Sequence, residues 1–436
     1  MNLVLLSGGS GKRLWPLSNE IRSKQFIRLF RSEEGRRISM LERVYGQIRS
    51  AAPSARVLIA TSRTQVPAIH NQIGSEIPIC VEPSRRDTFP AMALSAAYLH
   101  DRLSVPKDEP VAFCPIDPYV HSDYFTAIDG LERLVREDTH PLTLLGIQPV
   151  CPSEKYGYII PVDQNEVSEV RAFREKPDLA TARKYIAEGA LWNAGVFAFR
   201  LGFLLRLAGE RLGYERYEEL YRHYDELPKI SFDYAVVEKE PKIRVVRYRG
   251  EWKDVGTWNM ITEVMSDRTI GPAVLDEETT DTNVINELDL PVLVMGARNM
   301  VVAISNDGIL VADKERSGYM KPYVDRLHTD ARYADKEWGS YTVIDLGKSY
   351  MTVRICMRSG CGMSYHAHAF RDETWTVLTG HGYAVVDGVR TETGPGSTIS
   401  IRAGMKHTLF AETEMTVLET QLGDSISESD KTKYDF

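Results

Sequence analysis

The chain predicts an α/β protein with a mostly parallel mixed sheet, a small β-rich connector and a C-terminal β-barrel. Three observations predict it. Short apolar strands alternate with longer helical stretches over roughly 1–260, short β-like pieces crowd 261–330, and over 331–436 His366 and His368 stand at strand alternation among turn-rich segments. Strand and helix alternation is the grammar of a sheet covered on both faces, whereas two histidines at i and i+2 of a strand share one face and can point together into a barrel.

Each element has its own local reason. Leu3-Val4-Leu5-Leu6 is a short apolar strand, and 56–60, 111–115 and 142–147 repeat it. Residues 90–99 are rich in Ala, Met and Leu and predict a helix. The connector pieces are 270–275, 291–297, 300–305 and 308–312, with a helical stretch expected near 317–326. A chain of 436 residues exceeds what one core organises, so several domains are expected: 1–260, 261–330 and 331–436.

Composition excludes several classes. With 43% apolar and 26% charged residues and no apolar run near the length of a membrane span, neither disorder nor a transmembrane helix is expected. The start shows no basic n-region and apolar h-region, so the cytoplasm is the expected location. A net charge of −8 with interspersed signs argues against a nucleic-acid surface. Cys80, Cys114, Cys151, Cys356 and Cys361 form no CxxC pair and are expected to be reduced core thiols.

The strand at 3–6 runs into Ser7-Gly8-Gly9-Ser10-Gly11-Lys12-Arg13-Leu14-Trp15-Pro16, with Ser23-Lys24-Gln25-Phe26 following. Glycines admit phosphate oxygens to backbone N–H groups because no Cβ intervenes. Arg13 and Lys24 add positive charge. The spacing is neither a Walker A loop nor a dinucleotide fingerprint.

This stretch resembles the signature of bacterial mannose-1-phosphate guanylyltransferases, members of the sugar-nucleotide pyrophosphorylases, with Ser23 where the family usually has Pro. The resemblance implies a Rossmann-like nucleotidyltransferase domain that joins GTP to α-D-mannose 1-phosphate with release of pyrophosphate. It further implies Mg²⁺, no nucleic-acid or membrane partner, and a homo-oligomer, a dimer being expected. Leu6, Gly8, Gly9, Gly11 and Arg13 are implied nucleotide contacts, together with Glu82, Arg86 and Thr88 of Glu82-Pro83-Ser84-Arg85-Arg86-Asp87-Thr88. Asp87 stands in the family's Asn place, and Thr88 is expected to cap the following helix.

Asp117 matches the family's aspartate after a buried strand, with Pro118 in place of His, and Asp254 of Trp252-Lys253-Asp254-Val255-Gly256 is the second implied Mg²⁺ carboxylate. Gly157, Glu175, Lys176 and Asn193 match sugar-side elements: close backbone approach, hydroxyl acceptor, phosphate cation and sugar contact. The catalytic set is then Arg13, Lys24, Asp117, Lys176 and Asp254.

The C-terminal stretch resembles the cupin region of bifunctional phosphomannose isomerase/guanylyltransferases. His366, His368, Glu373 and His407 are the implied ligands of a divalent transition metal, with zinc, iron, nickel and manganese all open. His366 stands where the family commonly has Gln, Arg402 replaces a common Pro, and Ala369, Phe370 and Thr374 replace histidines, so weak isomerase activity at most is expected. The open alternatives are another nucleotide and hexose 1-phosphate pair, a bifunctional isomerase, a barrel that serves packing alone, and a non-catalytic sugar-phosphate-binding regulator.

Overall fold

The α/β alternation becomes a nine-stranded sheet in the computed structural model, which describes residues 1–9, 12–19, 21–137, 139–327 and 331–435. In chain order its strands, with the short pair that flanks it, are β1 Asn2–Leu6, β2 Arg56–Ser62, β3 Ile79–Glu82, β4 Pro110–Pro115, β5 Pro118–Val120, β6 Leu142–Ile147, β7 Tyr158–Pro161, β8 Val167–Arg174, β9 Leu191–Arg200, β10 Ile243–Tyr248 and β11 Trp252–Asp254. The sheet order is β3-β2-β1-β4-β9-β6-β10-β8-β7, while β5 and β11 form a separate two-stranded ribbon.

Parallel pairing runs through β3-β2-β1-β4 and joins β6 to β10. Antiparallel pairing takes over where β9 enters between β4 and β6 and where β7 and β8 close the edge. The sheet is thus mixed, with the longest parallel run confined to the N-terminal strands. Helices Thr88–Asp101 and Leu201–Leu212 share with these strands a core that includes Val4, Leu58, Phe113, Leu144, Phe199 and Phe232. Burial on both sides explains why the strands read as unbroken apolar runs instead of alternating ones.

The chain divides into two compact units: Met1–Gly9, Arg28–Val66 and Ile73–Gly256 form one, and Ser10–Ile27, Pro67–Gln72 and Thr257–Phe436 the other. The segment from Ser10 to Ile27, read in sequence as part of the first domain, thus groups with the second unit. Within that unit the expected 270–275 strand is broken at Gly271-Pro272 into Thr269–Ile270 and Ala273–Leu275. Gly271 has φ +78°, and a Cβ there would lie 1.9 Å from the Asn286 carbonyl oxygen, so only glycine fits. Asn283–Asn286 pairs in parallel with Thr269–Ile270 and with Met300–Ser305, and Gly308–Asp313 closes antiparallel. The helical stretch resolves into two single turns, Lys314–Ser317 and Lys321–Val324.

The C-terminal strands form two sheets around Trp375, Val377, Leu409 and Val417. Of the cysteines, Cys80 and Cys114 are core thiols, pushed up to about 12 by burial. Cys151 and Cys356 are exposed and Cys361 partly so, which corrects the expectation of five core thiols; all are free.

Asp87, not Thr88, is the cap of helix Thr88–Asp101: its carboxylate accepts from the Thr88 N–H at 2.7 Å. The Thr88 hydroxyl instead accepts from the Phe232 N–H at 2.8 Å, tying the helix start to the 231–239 stretch. Asp87 lies at φ +68° and ψ −177°, a region that glycine alone occupies cheaply. Asp87→Gly is expected to stabilise the protein by roughly 1 kcal/mol, since relief of about 1–3 kcal/mol of strain exceeds the few tenths lost with the cap. Asp87→Ala is expected to cost about 1 kcal/mol. Thermal melting of both variants checks this, and an Asp87→Gly variant no more stable than Asp87→Ala contradicts it.

Candidate active site

Two strand endings and one bulge build the site. Leu6 closes β1 between Ala60 and Pro115 in register, so the Ser7-Gly8-Gly9 turn leaves the sheet beside the end of β4. The Ile116 N–H donates to the Leu6 carbonyl at 3.3 Å, which fixes the start of the Asp117 loop to the same place. β5 then pairs antiparallel with β11, putting Asp254 opposite Pro118. Two acids distant in sequence are thereby brought to one rim, and both line a cavity of about 220 Å³ with Tyr156, Gly157, Glu175, Asn193, Asp233 and Trp252.

Another part of the lining is made by β9, whose register slips between Asn193 and Phe197. Such a slip turns side chains out of the ladder. Gly195 sits there at φ +71°, and its N–H donates to the Asn193 Oδ1 at 3.0 Å. The Asn193 Nδ2 donates to the Asp233 carboxylate at 2.7 Å, and the Asn193 N–H donates to the Gly157 carbonyl at 2.8 Å. Gly157 is needed for close approach: a Cβ there would meet Glu175 Oε2 at 2.5 Å and Phe173 Cζ at 2.7 Å.

Glu175 is nearly buried and pairs with Lys176, Nζ to Oε1 2.6 Å. Burial alone would lower the Lys176 ammonium, but the Glu175 hydrogen bond and charge outweigh it and raise it. The Lys176 backbone is left-handed at φ +46°, and its N–H donates to the Tyr156 carbonyl at 3.2 Å. Burial, then the charge of Asp254, raises the Tyr156 phenol. Tyr156 packs on Trp192 and Trp252 with ring centroids 4.7 and 5.5 Å apart, an aromatic flank to a polar cavity.

Five expected residues thus meet in one cavity: Asp117, Gly157, Glu175, Asn193 and Asp254, with Lys176 held to it by Glu175. Glu82 lies beside the glycine turn, 3.4 Å from where a Gly8 Cβ would sit, and accepts from the Tyr224 hydroxyl at 2.8 Å; burial raises its carboxyl. Arg86 is engaged by the Asp225 carbonyl and pairs with its carboxylate at 3.7 Å. Gly11 lies outside the described residues. Arg13 is exposed and Lys24 partly buried, both on the segment that groups with the second unit.

Asp233, which also lines the cavity, has no site role among the sequence motifs. The residue opens a π-helical turn, Asp233–Val237, a form concentrated at functional sites. Burial first, then the charge of Glu175, pushes Asp233 up to about 7. The signal that could have found it is a lone acid ahead of the apolar run Tyr234-Ala235-Val236-Val237.

In the barrel, His366, His368 and His407 are buried with their ligand nitrogens within 4.8 Å of one another. Each Nδ1 faces a carbonyl: His366 that of Ser364 at 2.6 Å, His368 that of Asp430 at 2.8 Å, His407 that of Met405 at 2.9 Å. A carbonyl only accepts, so each Nδ1 carries a proton and Nε2 is the nitrogen left to face a metal. Burial, then the Lys431 and His407 charges, lowers His366 to about 3, so it is neutral at physiological pH.

Glu373 lies 3.3 Å from both His368 Nε2 and His407 Nε2. It is also held by Arg371 Nε at 2.8 Å, while Arg371 Nη2 reaches His368 Nε2 at 2.9 Å. The triad plus carboxylate fits a divalent cation, because the buried His407 Nε2 has no hydrogen-bond donor facing it among the described residues. Arg371 sits as a second cation on the same ligands.

Because Asp233 is raised in the folded protein, the fold binds more protons than the unfolded chain between about pH 4 and its folded value near 7. Its contribution to stability therefore falls as pH rises through that window. Asp233→Asn, which keeps an acceptor for Asn193, is expected to gain melting temperature relative to the parent from about pH 4 to pH 7 and to hold the gain above it. A stability difference that is flat with pH removes the shift.

A family model described as Nucleotidyl transferase matches residues 2–269, and one described as Mannose-6-phosphate isomerase C-terminal matches 325–435. A mannose-1-phosphate guanylyltransferase from Escherichia coli is 30% identical over 98% of this chain and 97% of its own length. The xanthan biosynthesis protein XanB of Xanthomonas campestris pv. campestris strain B100 is 28% identical over 99% and 97%. A solved structure from Thermus thermophilus, named as a mannose-1-phosphate geranyltransferase, superposes with a TM-score of 0.60 at 32% identity, over 75% of this chain and 98% of that one. With its mixed sheet and its cavity-lining acids in place, the chain belongs to the nucleotidyl transferase family, among the mannose-1-phosphate guanylyltransferases, and carries a C-terminal domain of the mannose-6-phosphate isomerase type.

Proposed function

We propose that the protein joins GTP to α-D-mannose 1-phosphate, forming GDP-mannose and pyrophosphate. The observation that carries this reading is the cavity lined together by Asp117, Asp254, Gly157, Glu175 and Asn193. Carboxylates suit a divalent cation at one end, and hydrogen-bonding groups suit a hexose at the other.

The reaction is read as in-line displacement: an oxygen of the sugar phosphate attacks the α-phosphorus and pyrophosphate leaves. The attacking oxygen is already ionised near neutral pH, so alignment and charge compensation are what the protein must supply. Lys176, fixed by Glu175, holds the sugar phosphate, while Glu175, Asn193 and Asp233 accept or donate hydrogen bonds at the ring. Gly8 and Gly9 offer backbone N–H groups to the nucleotide phosphates, with Leu6, Glu82 and Thr88 around them, and Arg13 and Lys24 add positive charge. Asp117 and Asp254 would hold Mg²⁺, which when bound offsets the repulsion between the two phosphates.

The domain division at 260 and 330 belongs to the same reading, as does a cytoplasmic location. No helix among the described residues is long and apolar enough to cross a membrane. A second reading, isomerase chemistry in the barrel, draws support from the buried histidine triad, which with Glu373 beside it would hold a transition metal. The contact of Arg371 with His368 limits it to weak activity.

Four nucleoside triphosphates assayed against mannose, glucose and fucose 1-phosphates are expected to show the highest kcat/KM for GTP with mannose 1-phosphate; a clearly better pair overturns the specificity. Asp117→Ala and Asp254→Ala are each expected to lower turnover at least about a hundredfold, equivalent to about 2.7 kcal/mol. Gly157→Ala, which drives a methyl into Glu175 and Phe173, is expected to raise the KM for the sugar phosphate well above its effect on GTP. Unchanged kinetics in folded Asp254→Ala would remove that acid from the metal role.

A further inference from the structure

The segment that carries Arg13 and Lys24 is anchored by side chains of the second unit. The Trp258 indole N–H donates to the Trp15 carbonyl at 3.0 Å, and the Ser305 hydroxyl donates to the Pro16 carbonyl at 2.7 Å. Trp15 lies against the backbone of Gly308, where a Cβ would come within 2.4 Å of the ring. Asn19 Nδ2 donates to Asp307 at 2.7 Å, while its Oδ1 accepts from the N–H groups of Ile21 and Arg22 at 2.9 and 2.7 Å. Arg22 completes the series with a two-pronged bond to Glu287, at 2.7 and 2.9 Å.

These contacts lie between the two basic residues. Arg13 immediately precedes the Leu14-Trp15-Pro16 anchor, and Lys24 follows Arg22 across Ser23. Gly8 and Gly9, upstream of Arg13, lend the chain little stiffness of their own. A charge that must meet a phosphate in one geometry needs that stiffness from elsewhere, because misplacement on the order of 1 Å can cost about a hundredfold in rate. A bidentate arginine–carboxylate pair fixes direction as well as distance.

We infer that Glu287, Ser305 and Asp307 are positioning residues for nucleotidyl transfer, fixing the backbone that presents Arg13 and Lys24 to the nucleotide phosphates. The inference rests on the reaction proposed above.

The test uses the full-length chain with Glu287→Ala, Asp307→Ala, Ser305→Ala and the exchanged pair Arg22→Glu with Glu287→Arg, each checked for folding by circular dichroism. Glu287→Ala and Asp307→Ala are expected to lower kcat/KM for the nucleotide about tenfold or more, with less than about a twofold change in KM for the sugar phosphate. The exchanged pair is expected to recover most of that loss. Ser305→Ala, the mildest change, keeps the test alive if a charged variant fails to fold. Folded variants with parental kcat and nucleotide KM overturn the inference, as does an exchanged pair no better than Glu287→Ala alone. Turnover by the parent protein decides the reaction itself. Calorimetric binding of Mg²⁺ and each of the four nucleotides gives the same variant-to-parent ratio without the sugar, so the two failures are told apart.

Discussion

Everything at the proposed active site depends on the short two-stranded ribbon in which Asp254 lies opposite Pro118. Two carboxylates repel when left alone, and no single strand could present both at one point. The fold solves this by letting β4 run on past the sheet into β5 and letting the chain return after β10 as β11. The ribbon stands clear of the nine-stranded sheet, so its acids reach past the strand ends into the cavity instead of into the core. Ligands in open α/β sheets bind beyond the strand ends for the same reason.

Another part of the lining is built by sacrificing regularity. The register slip in β9, the glycine at 195 and the left-handed Lys176 each depart from ideal sheet geometry at or beside the cavity. Asn193 links the strand, the Gly157 loop and Asp233 in one set of bonds. In the barrel three backbone carbonyls hold the Nδ1 atoms of three imidazoles whose ligand nitrogens lie within 4.8 Å of one another.

Much of this was legible in the sequence, and the reason is local chemistry. Strands at 56–60, 111–115 and 142–147 announced themselves because both faces are buried and the runs are unbroken. Asp117, Glu175, Asn193 and Asp254 stood in motifs whose neighbours are as particular as they are. What stayed hidden depends on contacts between distant segments. Asp233 lines the cavity bonded to Asn193 of β9, and Asp87 caps the helix while the Thr88 hydroxyl accepts from the Phe232 N–H. The grouping of Ser10–Ile27 with the second unit follows from Glu287, Ser305 and Asp307, which no periodicity connects to it.

The claim that Asp117 and Asp254 jointly hold the catalytic cation is tested most directly by Mn²⁺ binding in the presence of GTP, read by electron paramagnetic resonance on the parent, Asp117→Asn and Asp254→Asn. The account expects one tight nucleotide-dependent site in the parent that weakens at least about tenfold in each folded variant. Parental affinity in both variants would contradict it.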